Sequence, residues 1–312
     1  MVLTSHFAHT HTRGPLANKT AKPPNWVSGG DLMGTDFALE LVDQLAEAGV
    51  RSVTWTGGGE PTLHRDFDII VQHGAGRIAQ GVYTHGGHVN PIRAAVLKQA
   101  CTFVYVSLDA VDADFYRRAK GVDRFDKACD GIRHLVAASG DATVGIGYLV
   151  TADNWRQIPD AVTLCRDLGA DYVQFRPTIL YDQEKPDVPD DDREWLDAAV
   201  RLLGWVANES NVIADIGRFE MYRDWDGHNY ETCFWSGLQT VVTPNGKVWT
   251  CVNKREHAGA EIGDLTVESF AAVWARHKLA KVTGDCRVMC RGHLANLALD
   301  EVMRPREHAD FV

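Results

Sequence analysis

The chain has 312 residues, 45% of them hydrophobic and 24% charged, with a formal net charge of −10 at pH 7. That length and composition suit one sizeable α/β domain with an appendage and exclude a disordered or fibrous chain. The acidic balance without a basic run argues against a nucleic-acid partner, and no apolar stretch is long enough to span a bilayer.

The start carries no signal-peptide pattern, so the expected compartment is the cytoplasm. In that compartment the seven cysteines are expected to be thiols or metal ligands rather than disulfides. The first strand-like run, 1–7, leads straight into "SHFAHTHTRG" (5–14), which places histidines at 6, 9 and 11. Further strands are predicted at 51–57, 78–86, 102–110, 143–150 and 171–177, each rich in Val, Ile, Tyr, Phe or Thr. Between them lie amphipathic helix patterns. Residues 35–49 put Phe37, Leu41 and Leu45 on one face and stop at Gly49, and 125–139 and 158–170 behave alike. Strands alternating with helices imply parallel pairing through right-handed crossovers. Six such strands, or seven if 211–217 joins, are too few for a closed eight-stranded barrel, so a partial barrel is predicted.

The pattern changes after an acidic, proline-containing stretch at 181–195 that leads into a helix. Pro244, Asn245 and Gly246 between alternating runs predict a β-hairpin over 238–252, and the last helices are expected within 266–278 and 294–303. The predicted division is a barrel-like unit at 1–218 and a cysteine-rich α+β unit at 219–312.

In parallel α/β sheets ligands bind at the carboxyl ends of the strands. The second strand ends in Gly57, Gly58, Gly59 and Glu60, where three glycines let a ligand approach the backbone and a carboxylate can accept from an ammonium. No Gly-Lys-Ser/Thr follows, so this is not a phosphate loop. Thr84, Ser107, Asp109, Asn154, Gln174 and Arg176 occupy the later strand ends. A cap or turn role would account for any one of them. Their recurrence at equivalent places points to a ligand.

The stretches "VTWTGGGEPTLHRDF", "VYTHGG", "VYVSLDAVDADFYRRAKGVDRFDKACDGIRHL" and "DYVQFRP", in this order and spacing, resemble the radical S-adenosylmethionine (SAM) superfamily over roughly residues 1–180. The resemblance implies a partial (β/α)6 barrel. It implies that Gly58, Gly59 and Glu60 bind the amino group of SAM, that Ser107 and Asp109 lie near its ribose and carboxylate, and that Gln174 and Arg176 line the cofactor or substrate side. The family's Cys-x3-Cys-x2-Cys motif, which holds a 4Fe-4S cluster, would fall on Ser5, His9 and Thr12, and none of these is cysteine. Hydroxyl side chains are poor donors for iron held among sulfides. In an extended strand His9 and His11 share a face while His6 takes the other, too few for a three-ligand metal site. The segment therefore reads as a degenerate cluster site, natural or altered.

Cys233, Cys251, Cys286 and Cys290 supply four thiols, enough for one 4Fe-4S cluster or one zinc ion. Their layout resembles the auxiliary-cluster domain of twitch or SPASM-type radical SAM proteins. Cys101, Cys129 and Cys165 fall in or beside helix patterns and are expected to be buried. Three readings follow for a biosynthetic protein acting on a small molecule or peptide. It uses SAM without radical chemistry, with Glu60, His85, Asp109 or Tyr148 as candidate bases. It is a catalytically silent partner protein. Or it is an ordinary radical SAM enzyme whose cluster cysteines have been replaced.

Overall fold

The structure, a computed structural model, describes residues 2–6, 32–57, 59–178, 190–225, 227–284, 286 and 290–303. Its first part alternates strand and helix: β1 (Val2–His6), α1 (Thr35–Glu47), β2 (Ser52–Thr56), α2 (Phe67–Gly74), β3 (Ala79–Thr84), α3 (Pro91–Ala100), β4 (Phe103–Ser107) and α4 (Ala113–Lys120). It continues with α5 (Phe125–Ala137), β5 (Thr143–Val150), α6 (Ile158–Leu168), β6 (Tyr172–Pro177), α7 (Asp190–Val206), β7 (Val212–Ala214) and α8 (Ile216–Arg223). Strands β1 to β7 pair in sequence order and all in parallel. With helices on the outer face, β1 to β6 form the partial (β/α)6 barrel that the sequence implied, and the short β7 extends it as the 211–217 run suggested.

Local chemistry explains the element ends. Asn90 caps α3, its side chain accepting from Arg93 N–H, and Pro91 occupies the first turn where its missing N–H costs nothing. Asp112 caps α4 by accepting from Phe115 N–H at 2.7 Å. Helix α1 stops where Gly49 adopts φ +72°, a left-handed conformation that glycine takes without strain.

The two faces of the sheet have different occupants. Val53, Trp55, Val82, Val104, Val106, Val144, Ile146, Val173 and Phe175 pack under the helices in the main core. On the inner face, Tyr83, Phe103, Tyr105 and Tyr172 stand beside glycines. A Cβ at Gly81 would lie 2.2 Å from the Phe103 ring, one at Gly145 2.2 Å from Tyr172, and one at Gly147 2.3 Å from Tyr105. The inner face is thus furnished with large rings because its glycines leave room for them.

The remainder contains β8 (Thr232–Cys233), β9 (Gln239–Val242), β10 (Lys247–Trp249), β11 (Glu261–Asp264), α9 (Phe270–Arg276), β12 (Ala280–Lys281) and α10 (His293–Met303). Strands β9 and β10 form the hairpin expected around Pro244–Gly246, with Gly246 at φ +79°. Strand β9 also pairs in parallel with β1, so the sheet runs β11-β10-β9-β1-β2-β3-β4-β5-β6-β7. No helix among the described residues is long and apolar enough to cross a membrane.

Candidate functional site

The carboxyl ends of β2 to β6 gather Gly57, Gly59, Glu60, Thr84, Ser107, Asp109, Asn154, Gln174 and Arg176 at one rim of the barrel. Gly58, His9 and Thr12 lie outside the described residues. Ser5 sits on β1 opposite Trp55 and Val242, and His6 is in register with Thr56, the residue before the glycine turn.

Several of these side chains are occupied by the protein itself. Glu60 is 4% exposed. Its Oε1 accepts from Thr62 N–H at 3.1 Å, from the Thr62 hydroxyl and from the Thr84 hydroxyl at 2.6 Å, and its Oε2 accepts from His85 N–H at 2.7 Å. Thr84 in turn accepts from Gly86 N–H at 3.0 Å. Glu60 and Thr84 therefore tie the residue that follows the glycines to the end of β3, and the Glu60 carboxylate is already taken up by donors of the protein itself. His85 accepts from Gly87 N–H at Nδ1, 2.9 Å, so its Nε2 carries the proton and faces Glu60 Oε2 at 3.5 Å. From the first turn of α3, Arg93 donates to the Thr62 carbonyl at 2.7 Å and to Asp68 at 2.7 Å. His64 donates from Nε2 to the Met33 carbonyl at 2.8 Å.

Asp109 and Asn154 are braces of the same kind. Asp109 adopts φ +58°, is 3% exposed, pairs with Lys120 of α4 and accepts from Leu149 N–H at 2.8 Å. Asn154 is fully buried, accepting from Thr151 N–H at 2.7 Å and donating to the Leu149 carbonyl at 2.8 Å. Tyr148 packs in the core against Phe175, donates to Gln157 at 3.1 Å, and burial raises its pKa. A phenol so placed is a poor base. By contrast, Ser107 and Gln174 flank Gly147 in the register of β4, β5 and β6 and find no side-chain partner among the described residues. Lys120, Thr62 and Arg93 were not singled out in the sequence, since only the fold carries them to the rim.

The four late cysteines form a second centre. All are free and partly exposed. The charges of Cys233 and Cys286 each act on both Cys251 and Cys290, so the four thiols lie within electrostatic reach of one another. Each sulfur accepts an N–H bond: Cys233 from Asn296 Nδ2 at 3.5 Å, Cys286 from Thr283 N–H at 3.4 Å, Cys251 from Asn253 and Lys254 N–H, and Cys290 from Gly292 N–H. Burial pushes the Cys251 thiol up to about 11 and raises that of Cys290. N–H donors around sulfur and a buried thiol that resists ionisation fit a site whose ligands lose their protons when metal arrives. Among the described residues no three His, Cys, Asp or Glu side chains meet around a single ion. A cubane presents its irons at separate corners, so its four ligands need not converge on one point. Cys101, Cys129 and Cys165 are buried as expected, and burial pushes their thiols up to about 12, 11 and 11.

Comparison with known proteins finds a family match in each part of the chain. Residues 18–165 match the radical SAM superfamily, and residues 233–298 match the SPASM iron–sulfur cluster-binding domain. The chain is 29% identical over 185 residues to the mycofactocin maturase MftC of Mycobacterium tuberculosis, covering 58% of this chain and 46% of that protein. It is 29% identical over 131 residues to a probable GTP 3′,8-cyclase of Sulfurisphaera tokodaii, covering 41% of each chain. The matched stretches thus span less than half the length of these relatives. Among solved structures, Streptococcus suis SuiB bound to its precursor peptide SuiA superposes with a TM-score of 0.64 at 15% identity, over 88% of this chain and 64% of that one. SuiB bound to S-adenosylmethionine superposes with the same score at 16% identity, over 89% and 64%.

Proposed function

Starting from a chain that belongs to the radical SAM superfamily, in its SPASM/twitch branch, we propose that it modifies a peptide in a biosynthetic pathway, holding SAM at the barrel rim and one auxiliary 4Fe-4S cluster on four cysteines. SAM and iron–sulfur are the cofactors of this family. The observation that carries the finer reading is the second centre, where four thiols each accept an N–H bond and the charges of Cys233 and Cys286 reach both Cys251 and Cys290. Cys233, Cys251, Cys286 and Cys290 would hold the cluster. The expected compartment of this acidic chain remains the cytoplasm.

For SAM, the backbone of Gly57, Gly58 and Gly59 would receive the amino group, while Ser107 and Gln174 meet the nucleoside. Glu60, Thr84, Asp109 and Asn154 support this cradle from behind, because their side chains are already spent on backbone and neighbouring groups. When bound, SAM supplies an activated sulfonium and the cluster supplies one-electron transfer. The working division remains 1–218 for the barrel and 219–312 for the auxiliary unit. Ser5, His9 and Thr12 offer no thiol, so reductive SAM cleavage by the usual first cluster lacks its ligands. The peptide reading draws on the SuiB complex with a precursor peptide.

Anaerobic reconstitution followed by iron and sulfide analysis tests this reading. About four irons per chain are expected, lost in Cys233→Ala and Cys286→Ala. SAM should be retained in equilibrium dialysis, and no 5′-deoxyadenosine should form under strong reductant. About eight irons, or zinc in place of iron, would overturn the assignment.

A further inference from the structure

Of the N–H bonds at the four late sulfurs, those at Cys251, Cys286 and Cys290 come from the backbone, which no substitution removes. The one at Cys233 comes from a side chain, the amide of Asn296. Asn296 stands in the first turn of α10, the helix that follows Cys290, and is 1% exposed. Its backbone N–H donates to the Gly292 carbonyl at 2.8 Å, and that of His293 to the Cys290 carbonyl at 3.0 Å. Cys290 and Asn296 are therefore joined through the start of one helix.

The orientation of this amide is fixed from both sides. Its Oδ1 accepts from the Trp235 N–H at 2.8 Å. A backbone N–H can only donate, so the oxygen must face Trp235 and the Nδ2 must face the Cys233 sulfur, 3.5 Å away. Trp235 is itself held in place. A Cβ at Gly292 would lie 2.2 Å from its ring, and its indole N–H donates to Gln239 at 3.0 Å. One buried side chain thus grips the Cys233 segment at two points, a backbone N–H and the sulfur.

A thiol is a weak acceptor, and a buried amide N–H aimed at one gains little. A thiolate on iron carries charge, and a hydrogen bond to an ionised acceptor is roughly twice as strong as a neutral one. The amide is therefore better matched to the metal-bound form of Cys233 than to the free thiol. Its contribution grows when the centre takes up an electron, because added negative charge strengthens an N–H bond to sulfur.

We propose that Asn296 is a positioning residue for the auxiliary centre: its side-chain N–H holds the Cys233 sulfur and raises the reduction potential of the iron–sulfur cluster bound there. The proposal rests on the cluster reading above and deepens it. Ser236 supplies a comparison, since it fastens the same segment by its backbone rather than its sulfur. Its hydroxyl donates to the Cys233 carbonyl at 2.7 Å and accepts from Ala280 N–H at 2.8 Å.

The test uses the full chain, reconstituted anaerobically, with Asn296→Leu and Ser236→Ala. Leucine has the shape of asparagine but offers neither donor nor acceptor. In redox titrations followed by electron paramagnetic resonance, Asn296→Leu should have a lower potential than the parent, whereas Ser236→Ala should keep the parent's. Both should melt at lower temperature, since each loses a buried hydrogen bond. A purely structural Asn296 would lower the melting temperature alone. A second measurement needs no variant. In the parent labelled with ¹⁵N at asparagine side-chain amides, pulsed resonance of the reduced cluster should show a ¹⁵N coupling, which should vanish in Asn296→Leu. Should that variant load no cluster, the coupling in the parent decides. The proposal is overturned by an unchanged potential in Asn296→Leu, by an equal fall in Ser236→Ala, by no ¹⁵N coupling in the parent, or by a coupling that survives in Asn296→Leu. A parent that takes up zinc or no metal overturns the cluster reading and this proposal with it. One that takes up iron and sulfide yet fails the tests above overturns this proposal alone.

Discussion

Glu60 shows how a residue that is conspicuous in the sequence can do different work from the one its neighbours suggest. Beside three glycines, a carboxylate reads as a partner for an ammonium, yet both oxygens are taken by donors from Thr62, Thr84 and His85. Those partners come from the following turn and the next strand, so only folding could assemble them. Exchanging one oxygen for an amide turns an acceptor toward a donor. Glu60→Gln is therefore expected to destabilise the chain by about 1–3 kcal/mol in urea denaturation, through a buried pair that can no longer be satisfied. Unchanged stability would mean that the carboxylate is a spare ligand rather than a brace. Asp109 makes the same point. The motif pattern drew attention to it, while its partner Lys120 lies 11 positions on and is brought round by α4.

At the level of elements, glycines of one residue type have opposite consequences according to what stands beside them. A Cβ at Gly147 would meet the Tyr105 ring at 2.3 Å, whereas a Cβ at Gly204 in α7 meets nothing within 4 Å. Gly147→Ala should cost about 1–3 kcal/mol by displacing the ring, and with it the hydroxyl that accepts from Arg176. Gly204→Ala should stabilise by about 0.5–1 kcal/mol, since alanine forms helix more readily. Thermal denaturation of the pair decides the matter, and shifts of the same sign would refute the assignment of faces.

Strand β11, which pairs with β10, carries a pH-dependent contact of its own. Asp264 accepts from the Thr266 hydroxyl at 2.6 Å and pairs with Lys247 at 2.9 Å, which together hold its carboxyl down at about 2 against an ordinary 3.8. Because the folded value is the lower one, its stabilisation is in place above pH 3.8 and is lost as pH falls through about 2. Asp264→Asn should therefore be less stable than the parent at neutral pH, by about 1 kcal/mol once solvent screening is allowed for. The gap should close between these two values in urea denaturation at a series of pH values. A gap that stays constant down to the lower value would show that the charge is not what Thr266 and Lys247 hold.

For the whole molecule, the pairing that matters most is β9 with β1. Through it the auxiliary hairpin becomes part of the barrel's own sheet and covers the edge of its first strand. Removing residues 219–312 would leave β1 with an open edge of unpaired N–H and C=O groups, a template for pairing between chains. The truncated chain is expected to aggregate at concentrations where the full chain does not, as light scattering would report. A monomeric, cooperatively melting fragment would argue that the edge is protected by other means.

The sequence by itself determined the alternation of strand and helix, the partial barrel, the rim positions that carry polar residues and the four late cysteines. These follow from hydrophobic period, turn residues and donor type, all written locally along the chain. What only the tertiary structure decided is who faces whom. It showed Glu60, Thr84, Asp109 and Asn154 turned onto their own scaffold, and the auxiliary hairpin joined to β1. It also set Arg176 of β6 against the Tyr105 ring and hydroxyl of β4 on the inner face. Such meetings depend on strand register and on which residues share the inner face, and neither can be read from neighbours in sequence, because a shift of one residue reverses the face of every side chain on a strand.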